Sequence, residues 1–211
     1  REWFDRWLKG AGGDFNENPP FRTPVRMFVM GTGDGHKTKA GHLYHGGYWR
    51  DEPDYPLPRA KPTNYYLHAG GGLGADPPGE KTASTTFEFD PRNPVPTIGG
   101  CTCCARQIMT DGAWNQWGGE HTWTWPRPIP LSARNDIVVF MTPPLERDTE
   151  IIGPIQVKLW ASSSAVDTDF TAKLIDVYPT SPDFPAGFDL IMGDGIIRAR
   201  YRDSDKQEKL M

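Results

Sequence analysis

Apolar and polar positions alternate along most of this chain with the period of two that a β-strand requires. Over 153–163, Ile155, Val157, Leu159 and Ala161 stand against Gln156, Lys158 and Trp160. Over 168–179, Phe170, Ala172 and Leu174 alternate with Thr171, Lys173 and Ile175, which places Asp176 on the face of Phe170 and Leu174. Similar stretches predict further strands over 24–30, 63–69, 85–90, 136–142 and 195–202, with long Pro- and Gly-rich loops between them. The first ten residues differ. Trp3, Phe4, Trp7 and Leu8 share one face at helical spacing and Gly10 is a natural stop, so "REWFDRWLKG" predicts the end of an amphipathic helix.

No helical pattern separates the strands, which argues for packed sheets rather than a βαβ fold. The predicted class is all-β: a jelly-roll β-sandwich preceded by one short N-terminal helix. The expected organisation is a terminal helix over 1–10, a linker over 11–23 ("AGGDFNENPPFRTP" carries its Gly and Pro) and the sandwich domain over 24–211. Seven strands are few for a closed jelly roll, and the polar run "RDSDKQEKLM" follows the last of them, so the domain is expected to be incomplete at its C-terminus. No internal repeat interrupts this pattern.

Composition narrows the function. The 23 Gly and 21 Pro among 211 residues suit many strands joined by turns. A net charge of -4, with Lys and Arg scattered among Asp and Glu, offers no basic run to neutralise phosphates and points away from a nucleic-acid partner. No apolar run approaches spanning length and the mean hydropathy is -0.58, so no membrane partner is expected. The first residue is Arg1 rather than Met and no signal peptide is visible, so either the start has been removed or the chain is a piece of something longer. The three cysteines crowd into "CTCC" (Cys101, Cys103, Cys104), unlike a secreted disulfide framework, which favours a reducing, cytoplasmic location.

Each candidate for chemistry has a plainer role. None of the seven serines (Ser84, Ser132, Ser162, Ser163, Ser164, Ser181, Ser204) lies in a G-x-S-x-G elbow, so no self-contained serine triad is expected. "CTCC" supplies one crowded knuckle where a structural zinc needs four spaced ligands, and His121 is no matched partner. His36, His42 and His45 with Asp34 form the most metal-like set, but a glycine-rich loop is the simpler account; no metal or cofactor is expected. Trp114, Trp117, Trp123 and Trp125 could stack on sugars or line a pocket, and interface or packing use is the favoured reading. In "AVDTDFTAKLIDVYP", Asp167 and Asp169 precede the strand, where a carboxylate that fixes a turn is favoured over one that works on a scissile bond.

Taken together, "PVRMFVMG" with a following "YW", then "TNYYLHAGGGL", "FEFDPRNPVPTIGG", "RNDIVVFMTPPLERDTEIIGPIQVKLWASSSAVDTDFTAKLIDVYP" and "DGIIRARYR", resemble one module in family order. It is the C-terminal jelly roll, often called galactose-binding-like, of the CocE/NonD-type serine hydrolases. These include cocaine esterases, X-prolyl dipeptidyl peptidases and α-amino-acid ester hydrolases. The resemblance covers roughly residues 24 to 202, and "REWFDRWLKG" looks like the last helix of the preceding α/β-hydrolase domain. It implies a Ser-His-Asp triad upstream of Arg1, with no triad residue carried over to this chain, and further strands after the "YR" motif. The expected function is a non-catalytic module that stabilises and shapes a domain cleaving acyl ester or amide bonds, X-Pro peptide bonds among them. Its partner is that upstream domain, in the same or a separate chain, with a homo-oligomer contact as a second expectation. The tryptophans would then face the catalytic domain. The alternative is a free-standing carbohydrate-binding or interaction module.

Overall fold

The computed structural model describes residues 2–10, 23–79, 83–99, 114–118 and 129–211. Strands dominate these residues and helix is scarce, and the strands form antiparallel pairs. The α-helix α1 (Glu2–Lys9) closes an i,i+4 ion pair, Lys9 Nζ to Asp5 Oδ1 at 2.6 Å, and ends at Gly10, whose φ of 64° is the left-handed stop a helix terminus favours. Among the described residues no helix is long and apolar enough to cross a membrane.

The chain divides into two units. The first takes residues 1–35, 44–62 and 148–155. In it β1 (Val25–Val29) pairs with β2 (Tyr48–Glu52), Val25 opposite Glu52 and Phe28 opposite Trp49. Val25, Met27 and Val29 are half-buried while Arg26 and Phe28 are exposed, as alternation demands. On the covered face, buried Glu52 lies 2.6 Å from Arg50 Nε and accepts two hydrogen bonds from the Arg59 guanidinium. Arg50 in turn donates to both oxygens of Glu150 at 2.8 and 2.6 Å. Hydrogen bonding by Arg59 holds the Glu52 carboxyl below the ordinary carboxylate range, and Arg50 does the same to Glu150. This network ties strand β2 to the loops at 59 and 150.

The second unit takes residues 36–43, 63–147 and 156–211. Short pairs β3 (Tyr66–Leu67) with β4 (Leu73–Gly74) and β5 (Trp117–Gly118) with β6 (Ile129–Pro130) accompany one long hairpin. That hairpin is β7 (Asp169–Tyr178) against β8 (Phe188–Arg198). A register shift at Leu174/Ile175 leaves Met192 as an extra residue on β8, a bulge. The 3-10 turn Ala199–Tyr201 follows. Leu43, Tyr178, Phe188 and Leu190 make a buried cluster, with Phe184 edge-on to Phe188 at 5.0 Å.

The strand plan read from the sequence needs correction at several points. The strand expected over 136–142 contracts to one bridge, Met141 with Gly72, fixed by bonds from Met141 N to Gly71 O and from Leu73 N to Met141 O. Residues 85–90 and 153–163 hold no ladder among the described residues. Alternation states which face a strand would bury, whereas a strand also needs a neighbour to bond. Over 63–69 only Tyr66 and Leu67 pair. β2 and the first half of β8 were not foreseen, because "WRDE" carries charges and Gly193 and Gly195 read as breakers.

Candidate functional site

Three carboxylates in and before β7 meet two kinds of environment. Asp169 opens β7 directly opposite Arg198, the last residue of β8, and accepts from Arg198 Nε at 2.8 Å and Nη2 at 2.9 Å. Asp167 accepts from the backbone N–H of Arg200 at 3.0 Å and from its Nε at 2.6 Å. Burial works against ionising Asp167, yet the Arg200 hydrogen bonds and charge outweigh it and hold its carboxyl low; at Asp169 the Arg198 hydrogen bonds dominate and act the same way. Arg200 and Tyr201 reach on to Glu208, Arg202 Nη1 donates to the carbonyl of Ala199, and Met211 N donates to Val166 O. "VDTD" and "RARYR" thus clasp the open end of the hairpin. Both acids are already paired with arginine donors, which suits a scaffold. The expected local turn is replaced by a cross-strand tie.

The clasp makes a prediction. Arg200→Ala frees Asp167 and removes one anchor of residues 203–211, so the backbone amide of Lys209, which donates to Arg200 O, exchanges faster while amides within β7 keep their protection. Hydrogen exchange read by mass spectrometry checks this, and Arg200→Lys recovers only part of the protection because the ammonium cannot reproduce the guanidinium geometry.

Asp176 is the odd member. Its cross-strand partner is Leu190, so it shares the face of Tyr178, Phe188 and the core, and it has no hydrogen-bond or ion-pair partner among the described residues. Burial pushes its carboxyl up, and burial with the Asp176 charge pushes the Tyr178 phenol up to about 12. The folded protein therefore holds the Asp176 proton more tightly than the unfolded chain does. Stability is favoured below the ordinary carboxylate pKa and falls as pH rises through the raised one, with the full penalty above it. Asp176→Asn is expected to raise the melting midpoint at pH 7, leave it unchanged at pH 3, and lower the Tyr178 titration. Paired melts and an ultraviolet phenolate titration check both.

The tryptophan segment has a definite seat. Asn115 bridges to Leu190, its Oδ1 accepts from Asp189 N at 2.9 Å, and Gln116 N donates to Asp189 O at 2.8 Å. Trp117 Nε1 donates to Asp189 Oδ2 at 3.1 Å, an attachment that partly offsets the burial pushing the Asp189 carboxyl up. On the other side Leu131 N donates to Gln116 O. Trp114 and Trp117 are half-buried, and a Cβ at Gly99 would lie 2.8 Å from Trp114 Cβ and Cγ. Residues 114–118 form a strap on the edge of β8 that sequence reasoning missed, since its partner lies more than seventy residues away. Trp123, Trp125, His121 and the three cysteines lie outside the described residues.

Among the described residues no group of three or more His, Cys, Asp or Glu is placed to hold a metal. His45 stands edge-on to Phe28 at 6.3 Å, and His42 N donates to Thr38 Oγ1.

The geometry is that of a strand-rich scaffold whose prominent acids are clasped or buried. The model of the X-Pro dipeptidyl-peptidase C-terminal non-catalytic domain matches residues 21–211, and the chain belongs to that family. Among individual proteins it is similar to cocaine esterase from Rhodococcus sp. (strain MB1 Bresler), with 34% identity over 213 residues covering 97% of this chain. The chain spans about 30% of the length of that relative. By that family's description it is a C-terminal non-catalytic domain.

Proposed function

We propose that this module serves a serine hydrolase that cleaves acyl ester or amide bonds, and that it stabilises and shapes the catalytic α/β-hydrolase domain rather than reacting itself. The family match over 21–211 carries this reading. The identity to an esterase and the description of the family as a peptidase's domain give the two bond classes. The pairing of Asp167 with Arg200 and of Asp169 with Arg198 supports a supporting role, because both carboxylates are held low and tied to the hairpin's open end. The architecture in the assembled enzyme is a jelly roll, α1 is the last helix of the catalytic domain, and the nucleophile, acid and histidine lie in that domain. Trp114, Trp117, Trp123 and Trp125 belong to the side that meets it.

The test is to express the catalytic part with and without this module and follow p-nitrophenyl acetate and an X-Pro anilide. Turnover confined to proteins that contain the catalytic part, with a higher melting midpoint when the module is attached, fits the proposal. A catalytic part equally stable and active without the module contradicts it.

A further inference from the structure

Asp189 meets the strap 114–118 with its N–H, its carbonyl and its carboxylate. The N–H donates to Asn115 Oδ1 at 2.9 Å, the carbonyl accepts from Gln116 N at 2.8 Å, and Oδ2 accepts from Trp117 Nε1 at 3.1 Å. Two residues on, Ile191 N donates to Trp114 O at 3.2 Å. On the far side Gln116, only 3% exposed, donates from Nε2 to Ile98 O at 2.8 Å, and Leu131 N donates to Gln116 O at 2.9 Å. These ties fasten the strap to β8 without any help from the carboxylate. The bond to Trp117 does something different. An indole has one directional donor, so a carboxylate oxygen held on a strand sets which way the ring points.

The register explains why the carboxylate is there. Phe188 and Leu190 turn into the core, so Asp189 between them turns to the opposite face, across from Val177. Val177 is exposed on that face, whereas Asp189 is half-buried with the indole donating to it. Trp117 is itself only half-buried, so part of the oriented ring stays open. An aromatic side chain that receives a ligand needs its rotamer fixed by a neighbour behind it. We propose that Asp189 is a positioning residue for substrate in the assembled hydrolase, orienting the Trp117 indole as part of the wall that substrate binds against. The inference rests on the function proposed above, in which Trp117 belongs to the side that meets the catalytic domain.

The test measures KM and kcat of the module joined to its catalytic part, on whichever p-nitrophenyl ester or X-Pro anilide that enzyme turns over. Asp189→Leu should raise KM about three- to tenfold and leave kcat within about twofold, the loss of one orienting hydrogen bond. Asp189→Asn keeps an oxygen acceptor and should keep KM near the unsubstituted value. Trp117→Phe removes the same bond, and adding Asp189→Leu to it should raise KM no further. The Trp117 indole N–H resonance, assigned by its loss in Trp117→Phe, should move in Asp189→Leu and hold in Asp189→Asn. An unchanged KM in Asp189→Leu overturns the proposal, as does a fall in kcat and melting midpoint without a rise in KM, which marks a purely structural role. Equal losses in the Asn and Leu variants overturn it too. If deleting the whole module alters neither kinetics nor stability, the function proposed above falls and this inference with it.

Discussion

Leu190→Ala is expected to lower the melting midpoint of the chain by about 5–15 °C, the equivalent of about 2–5 kcal/mol. Leu190 is 2% exposed and sits among Leu43, Tyr178 and Phe188, where its side chain fills the centre of the cluster. Truncation removes buried apolar surface and leaves a cavity. The cavity resists collapse because the backbone at 190 is pinned on both sides, by Asp176 across the hairpin and by Asn115 of the strap. Ile196 on the same strand is 70% exposed, so Ile196→Ala should change stability by no more than about 0.5 kcal/mol. Differential scanning calorimetry on the two variants separates them. Equal shifts would mean that the β7/β8 hairpin lacks the core described for it.

Gly33→Ala is the second large effect, expected at about 2–4 kcal/mol. Gly33 has φ +59°, and a Cβ there would fall 2.4 Å from the Tyr44 carbonyl oxygen and 2.7 Å from Gly46 N. Both obstacles are backbone, so one of the two loops must move. Gly46 mirrors the contact, its own Cβ position lying 3.1 Å from Gly33 Cα, which shows how closely the chain on either side of the β1–β2 connection approaches itself. Gly41 supplies the control: it also has positive φ, at +85°, but a Cβ there meets nothing within 4 Å. Gly41→Ala should therefore cost only the conformational part, about 1–2 kcal/mol. Urea unfolding of both variants reads the difference, which is the price of the clash alone. A Gly33→Ala variant no weaker than Gly41→Ala would deny the close approach.

The parts of this molecule that sequence alone discloses are those governed by local periodicity. β7 was legible because Phe170, Ala172 and Leu174 alternate cleanly with Thr171, Lys173 and Ile175, and Asp176 falls on the predicted face. β8 was half-hidden, since Asp189, Gly193, Asp194 and Gly195 resemble a loop until the hairpin register supplies their partners. Stretch 153–163 has the plainest alternation of all and yet holds no ladder among the described residues, because periodicity cannot report whether a neighbouring strand is present. The same limit hid the clasp. Nothing in the spacing of Asp167 and Asp169 reveals arginines some thirty residues later, and only the register places Arg198 opposite Asp169. The opposite natures of Asp167 and Asp176 were illegible for that reason too. One is held charged by Arg200, while the other is held back by an apolar face.

The family resemblance, by contrast, was legible over most of the chain, because it rests on whole motifs in order rather than on pairings at a distance. The match of the non-catalytic domain over 21–211 agrees with it. What such motifs leave out is energetic detail: Glu52 looks like any surface acid in "YWRDE", yet it is buried between Arg50 and Arg59.

The central claim is that this chain supports hydrolysis without performing it, and labelling with a fluorophosphonate tests it most directly. The reagent couples to a serine hydroxyl only where a neighbouring base and an oxyanion hole activate it. The chain alone should show no adduct by intact mass and no turnover of p-nitrophenyl acetate above the rate in buffer. A stoichiometric adduct on any of its seven serines, with burst release of p-nitrophenol, would contradict the account.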